Sequence, residues 1–140
     1  MIITVIPREH IPREWPRVEP LLKMATDTRG GQYHPFDIFD KLIDGELQLW
    51  GIFNEERELL AVLTTRVCQY RNSRALSIDW VGGSQMKSWL PEVIERLKDF
   101  AKTNGCKTLE GRGRSGWLRA LKKHGWETDY VAIKMELEDE

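Results

Sequence analysis

The sequence predicts an α/β domain in which a mixed central sheet carries helices on both faces. Three observations lead to this prediction: short β-rich runs occur at both ends and in the middle, longer segments with helical spacing separate them, and the length of 140 residues suits one domain with its own core. The predicted order is β-α-α-β-β-β-α-β-α-β, with room for one more strand, in a single domain spanning 1–140.

The N-terminal third is predicted to form one strand and two helices. Residues 1–6 are rich in β-branched types and predict a strand. Residues 14–26 have apolar side chains at helical spacing, and Pro16 is tolerated there if it lies in the first turn. His34-Pro35 opens a second helix, which Gly45 ends as a C-terminal cap residue. The apolar face of this second helix is expected to comprise Phe36, Phe39, Leu42 and Ile43.

The middle of the chain changes to the period of a sheet. Strand-like runs at 47–53, 59–70 and 75–81 are separated by short polar turns, which predicts an antiparallel three-stranded meander. Alternation along the third run predicts one face comprising Leu76, Ile78 and Trp80.

A long helix follows the meander. Gly82-Gly83-Ser84 ends the third strand, and Ser88 is the expected N-cap, with Pro91 in the first turn. Asn104-Gly105 stops the helix. Its apolar stripe is predicted to comprise Trp89, Leu90, Val93, Ile94, Leu97, Phe100 and Ala101.

The last part of the chain is predicted to alternate strand, helix and strand. Residues 107–112 form a short strand, and Ser115 caps a helix that Gly125 ends. Residues 126–138 supply one or two final strands. The packing candidates in these strands are Tyr130, Ala132, Ile133, Met135 and Leu137.

Composition and charge exclude several classes of protein. The 21 Lys+Arg and 22 Asp+Glu residues nearly cancel, which argues against a protein that coats nucleic acid. No apolar run approaches the roughly 20 residues that span a bilayer, and the N-terminus lacks the basic flank of a secretory signal. Cys68 and Cys106 are the only cysteines, so we expect a reducing, cytoplasmic location without disulfides or a metal site.

The charge is unevenly distributed near the C-terminus. Residues 107–123 contain six basic residues and one acid, whereas 124–140 contain one Lys and six acids. Two interpretations stay open: both are solvated faces, or the basic stretch faces an anionic ligand. Basic residues around Trp117 leave single-stranded nucleic acid as a minor alternative ligand.

The predicted element order resembles the GCN5-related N-acetyltransferase superfamily over nearly the whole chain. The residues that carry the resemblance are the meander at 47–81, the turn VGGSQMKS at 81–88 with its helix, and WLRALKKHGWE at 117–127. The last segment is similar to the superfamily's final helix followed by a Gly-aromatic pair, here Gly125-Trp126. More narrowly, GRSGWLRALKKHGW is similar to a motif of small phage and prophage acetyltransferase-like proteins.

The resemblance implies a site for acetyl-CoA, used as cosubstrate, between two splayed central strands. Its pyrophosphate would lie over the turn before the long helix, where free N–H groups and the helix dipole favour anions and glycines allow close approach. Backbone at Trp80 and Val81 would hold the pantetheine arm. The candidate cofactor-binding residues are Trp80, Val81, Gly82, Gly83, Ser84, Lys87, Arg112 and Arg114.

The implied reaction is acetyl transfer to an unidentified amine, which needs a base to deprotonate that amine. The candidate bases are Asp79 and Glu110. Asp79 is predicted to face away from Ile78 and Trp80, and Glu110 lies on the next strand. The alternative is that both are surface carboxylates. Leu121 stands where the superfamily often has a Tyr as general acid, which leaves Tyr130 as the candidate acid.

A second interpretation is a catalytically silent protein of the same fold, used as a structural or interaction module in a phage particle or against a host factor. Two departures from the superfamily favour it: Leu121 replaces the Tyr, and VGGSQMKS lacks the Gln/Arg-x-x-Gly-x-Gly/Ala pattern. Arg114 stands where the superfamily often has an Asn. The turn at Gly82-Gly83 and the local basic balance favour the enzyme, although the glycine pair also suits a simple strand-to-helix turn.

Overall fold

A five-stranded mixed sheet forms the centre of the molecule, and its strands lie side by side in chain order. The computed structural model describes residues 1–29, 32–113 and 115–138, without the side chains of Arg29 and Ser115. Its elements are β1 (Ile2–Ile6), α1 (Ile11–Thr26), α2 (Pro35–Asp44), β2 (Gln48–Phe53), β3 (Leu59–Gln69), β4 (Arg74–Gly83), α3 (Met86–Thr103), β5 (Thr108–Gly111) and α4 (Ser115–Lys122). Neighbouring strands are antiparallel except β4 and β5, which are parallel because α3 crosses over between them.

Helices cover both faces of the sheet, as the sequence predicts. One apolar cluster joins the sheet to α3 and α4; it includes Leu63, Leu76, Ile78, Trp89, Leu97 and Leu121. A second cluster joins the opposite face to α1 and α2; it includes Ile11, Trp15, Val18, Leu22, Ile38, Leu42 and Leu49. The predicted stripe of the long helix is confirmed, since Trp89, Val93, Ile94 and Leu97 are buried.

A β-bulge in β4 corrects the predicted face of Trp80. Thr65 pairs with Ile78 and Thr64 pairs with Trp80, so Asp79 is the extra residue without a partner on β3. One inserted residue inverts the alternation of side chains beyond it. Leu76 and Ile78 therefore face α3, whereas Trp80 packs with the α1 and α2 cluster, on the same side as Asp79.

The ends of α2 follow the sequence signals closely. The His34 ring accepts a hydrogen bond from the Phe36 N–H at 3.1 Å, and the Asp37 carboxylate accepts one from the His34 N–H at 2.8 Å. Gly45 ends the helix with a left-handed φ of 85°. The predicted face needs one correction: Phe36 is 56% exposed, and Ile38 takes the buried position.

The predicted start of α3 is wrong. The helix begins at Met86, with Gln85 as a left-handed N-cap that makes no side-chain cap bond. Ser88 therefore lies inside the first turn, where its hydroxyl donates to the Gln85 carbonyl at 2.6 Å, and Pro91 lies in the helix interior. Pro16 is likewise inside α1, because that helix begins at Ile11.

The strands expected at 126–138 are absent from the described part of the chain. Trp126 packs against the α3 and α4 cluster, but the residues that follow are exposed. A strand needs a partner for its backbone, and β5, the nearest candidate edge in chain order, pairs only with β4. The predicted packing of Tyr130, Ala132, Ile133, Met135 and Leu137 is therefore wrong in this structure.

Replacing Gly82 with Ala tests the close approach of α1 to β4. A Cβ at this position would lie 1.9 Å from the Leu21 carbonyl oxygen, which is backbone and cannot move aside alone. We expect Gly82→Ala to lower the free energy of unfolding by about 3 kcal/mol, measured by urea denaturation with tryptophan fluorescence. Gly116→Ala is the matched control, because its Cβ meets nothing within 4 Å and should cause no loss. Equal losses in the two variants would contradict this explanation.

Candidate active site

The parallel strands β4 and β5 separate halfway along β4. Their pairing ends at Ile78 and Gly111, while β4 continues to Gly83 and the chain after Gly111 turns away towards α4. The β5-facing edge of 79–83 has no strand partner within the described residues. Its backbone N–H and C=O groups are therefore available to a ligand in the gap.

A polar row crosses three strands at the lower end of this gap. Arg66 on β3 pairs in register with Ser77 on β4, which pairs with Glu110 on β5. Their neighbours Leu76 and Leu109 pack towards α3, so alternation places the row on the opposite face of the sheet. That face carries α1 and α2 farther along, and the side chain of Arg66 keeps 38% exposure.

Asp79 is fully engaged by this row. Its carboxylate accepts a hydrogen bond from Arg66 Nε at 2.8 Å and another from the Ser77 hydroxyl at 2.7 Å. The hydrogen bond to Asp79 is the main reason why the pKa of Arg66 is raised above its ordinary value. The carboxylate of Asp79 is thus occupied by Arg66 and Ser77.

Glu110 has a different partner. The hydroxyl of Tyr70 donates a hydrogen bond to Glu110 Oε1, and this bond is the main reason why the pKa of Tyr70 rises to about 12. Tyr70 directly follows β3 and is half exposed. Sequence reasoning missed Tyr70, since the two residues lie 40 positions apart and no local pattern links them.

Cys68 lies in the same network but is not suited to nucleophilic attack. The thiol is buried, and Arg66 Nη1 lies 3.0 Å from its sulfur. Burial raises the pKa of Cys68, and the charges of Glu110 and Asp79 raise it further, against the opposing effect of Arg66. The thiol therefore stays protonated at neutral pH.

The predicted acid and one predicted cofactor ligand meet just beyond β5. Arg112 lies beside Tyr130, and the interaction with that side chain is the main reason why the pKa of Arg112 is raised. Tyr130 is 67% exposed, whereas Leu121 is buried in the core and offers no proton. Ser77 and Glu110 pair in register, and Asp79 and Arg112 each lie two residues beyond that pair. The structure therefore brings Asp79, Glu110 and Arg112 to one region, with Tyr130 beside Arg112.

Packing alone explains why both residues of the pair after the bulge are glycines. A Cβ on Gly82 would collide with the Leu21 carbonyl, and a Cβ on Gly83, whose φ is +139°, would lie 2.4 Å from the Cα of Ala61. The strand-to-helix turn therefore requires glycine for reasons within the protein. Their contact with a pyrophosphate stays a prediction.

The beginning of α3 provides the other end of the gap. The Ser84 N–H donates to the Leu60 carbonyl at 3.1 Å, and the Ser84 carbonyl accepts from the Trp89 indole at 2.8 Å, which fixes the turn. The backbone N–H groups of Met86 and Lys87 have no acceptor within the helix, whereas the Ser88 N–H donates to the Gln85 carbonyl at 2.9 Å. The side chain of Lys87 is exposed at this end.

The other predicted cofactor residues have different surroundings. Val81 packs on the α3 side, and Trp80 meets Tyr33 edge to face at 5.0 Å on the opposite side. The buried indole N–H of Trp117, on α4, has no hydrogen-bond partner among the described residues. Arg114 lies outside the described residues, as do the predicted capping contacts of the Ser115 side chain.

Other kinds of site were sought in the same part of the chain. Within the described residues, no group of three or more His, Cys, Asp or Glu side chains is arranged to hold a metal ion. Nor does any described helix combine the length and apolar character needed to cross a membrane.

Comparison with known proteins gives matches in structure alone. No protein-family model matches the chain, and no curated protein matches its sequence significantly. The structure is similar to a ribosomal-protein-alanine N-acetyltransferase from Brucella melitensis (TM-score 0.73, 13% identity, 98% of this chain and 100% of that one). It is also similar to an aminoglycoside antibiotic 6'-N-acetyltransferase from Acinetobacter baumannii (TM-score 0.69, 10% identity, 99% of both chains). A third similar structure is a glucosamine-6-phosphate N-acetyltransferase from Arabidopsis thaliana (TM-score 0.65, 15% identity, 98% of both chains).

The interaction between Tyr70 and Glu110 predicts a shifted phenol titration. The difference in tyrosinate absorbance between wild type and Tyr70→Phe isolates the titration of Tyr70. This difference should appear near pH 12, because the Glu110 carboxylate favours the neutral phenol. When the same pair is compared in the Glu110→Gln background, the absorbance difference should appear at lower pH, since the negative charge of Glu110 has been removed. In wild type, the pKa of Tyr70 is higher in the folded protein than in the unfolded chain. The interaction of Tyr70 with Glu110 therefore stabilises the fold fully below about pH 10, and this stabilisation is lost towards pH 12. An unchanged titration in Glu110→Gln would contradict the interaction.

Proposed function

We propose that this chain, which has the fold of the GCN5-related N-acetyltransferases, transfers an acetyl group from acetyl-CoA to an amine. The observation that carries the proposal is the gap between β4 and β5 beyond Ile78. The bulge at Asp79 lies at one end of this gap and the N-terminus of α3 at the other. A polar row with carboxylates, cations and hydroxyls reaches its lower end.

The residues around the gap suit the parts of acetyl-CoA. The unpaired edge of 79–83 offers backbone donors and acceptors to the amides of the pantetheine arm. The free backbone N–H groups of Met86 and Lys87 and the Lys87 ammonium favour the pyrophosphate. The unpartnered indole N–H of Trp117 is a further donor for a ligand carbonyl. Gly82 and Gly83 would contribute backbone only.

The polar row supports a direct transfer. The amine nitrogen attacks the thioester carbonyl carbon, Glu110 takes the proton that the nitrogen loses, and the carbon–sulfur bond breaks to release the coenzyme thiolate. A backbone N–H near the bulge polarises the carbonyl oxygen. Tyr130, beside Arg112, is the candidate that protonates the leaving thiolate. We assign the base to Glu110 rather than Asp79 because Arg66 and Ser77 already occupy the Asp79 carboxylate.

The structural neighbours supply the acceptors to screen. Their names specify an alanine of a ribosomal protein, an aminoglycoside and glucosamine 6-phosphate. An alanyl peptide, kanamycin and glucosamine 6-phosphate therefore form the first panel, with release of free thiol from acetyl-CoA as the readout.

Charge reversal at Lys87 tests the coenzyme site. We expect wild type to bind acetyl-CoA with micromolar affinity by calorimetry, and Lys87→Glu to weaken binding about tenfold, because it places an anion beside the phosphates. Arg96→Glu is the matched control: it makes the same charge change on an exposed position of α3, nine residues and about 14 Å farther along the helix. Equal weakening in both variants would indicate a general charge effect.

Glu110→Gln tests the base. With any acceptor from the panel that reacts, we expect kcat to fall about 100-fold while affinity for acetyl-CoA is unchanged. The deficit should shrink at a pH above the pKa of the amine, because the acceptor then arrives already deprotonated. Asp79→Asn is the comparison. A larger, pH-dependent loss in that variant than in Glu110→Gln would transfer the role of base to Asp79.

The buried Leu121 and the packing role of the glycine pair favour one alternative, a catalytically silent interaction module with this fold. Absence of heat and of any change in tryptophan fluorescence at millimolar acetyl-CoA would support it. The search would then turn to protein partners, including the phage or host proteins that the sequence resemblance suggests.

A further inference from the structure

The C-terminal segment 130–137, here called the arm, has the pattern of a strand without a partner. Apolar residues alternate with others along it, and its large apolar side chains are 67–92% exposed; they are Tyr130, Val131, Ile133, Met135 and Leu137. No backbone hydrogen bond joins the arm to another described residue. A run of five exposed large apolar side chains is uncommon on a monomer in water and indicates a surface that another element covers.

The sheet offers a matching vacancy at β5. This strand pairs with β4 on one side, and its other edge has no neighbour among the described residues. Leu109 on β5 and Trp117 on α4 are only partly buried on the α3 side of that edge. An added strand would satisfy the open backbone edge and place alternate side chains against these apolar groups.

The charges of the arm and of the region at the start of β5 are also complementary. The acidic end of the arm contains Glu136 and Glu138, both exposed. A depression of about 460 Å³ at the start of β5 is lined by Gln69, Arg71, Asn72, Ser73, Arg74, Gly105 and Lys107, with three cations and no acid. Antiparallel addition to β5 brings the end of the arm towards this depression.

We propose that the arm of one copy adds antiparallel to β5 of a second copy, and that the exchange is reciprocal in a two-fold dimer. The arm begins beside Arg112, at the end of its own β5, yet does not follow that strand. Each copy therefore presents both an unpaired strand and an unpaired edge. In a two-fold dimer, the arm of each copy pairs with the β5 edge of the other, so no arm and no β5 edge is left to bind a third copy.

Two neighbouring substitutions test the proposal without acetyl-CoA or an amine, so its outcome is separate from that of the acyltransferase. Ile133→Lys places a charge on the apolar face of the arm, and Ala132→Lys places the same residue on the other face. By sedimentation equilibrium at micromolar concentration, we expect a dimer for wild type and Ala132→Lys and a monomer for Ile133→Lys. Circular dichroism should show the same helical content for all three, because the arm lies outside the helices.

Hydrogen exchange adds a second readout for the arm itself. Alternate amides of 131–137, those directed at β5, should be protected in the wild-type dimer and unprotected in the Ile133→Lys monomer. A monomeric wild type with a protected arm would show pairing within one chain and overturn the proposal. It would also be overturned by a monomer with an unprotected arm, by a dimer whose arm is unprotected, or by an Ile133→Lys variant that stays dimeric.

Discussion

The extra residue at Asp79 is the constraint on which the rest of the site depends. Because it has no partner on β3, side chains beyond it change faces, and Trp80 joins the α1 cluster instead of the α3 cluster. Pairing with β5 also stops at Ile78, one residue before the bulge. A regular β4 would pair along its length with a longer β5 and close the gap that the proposed coenzyme needs. The bulge thus links the packing of α1 to the opening of the sheet.

The same residue marks the limit of what alternation in the sequence predicts. Most strand and helix positions follow from local patterns, and the capping signals at His34 and Gly45 are confirmed. The strands predicted at 126–138 and the N-cap predicted at Ser88 are the exceptions. A bulge depends on the register between β3 and β4, which no run within β4 reveals. Alternation therefore predicts the wrong face for Trp80, although the strand itself is predicted correctly.

The carboxylates of the polar row can be predicted from the sequence, but their partners cannot, because these also depend on the register between strands. Asp79 and Glu110 stand out in the sequence as carboxylates on strands that the fold brings together. Their partners are determined by cross-strand register: Arg66 and Ser77 secure the first, and Tyr70 the second. This difference in partners distinguishes two carboxylates that look equivalent in the sequence. One belongs to an ion pair, and the other keeps a neutral phenol as its neighbour.

The glycine pair shows why a motif in a turn is weak evidence for a ligand. Leu21 and Ala61 approach so closely that Gly82 and Gly83 are required whether or not a phosphate ever binds. A substitution there damages the fold first, and loss of binding in such a variant carries no information about the coenzyme. The open edge of β4 is stronger evidence, since nothing within the described protein uses its polar groups. Unsatisfied backbone is costly to exclude from water, so an edge left open beside a polar row favours occupation by a ligand that pairs as a strand would.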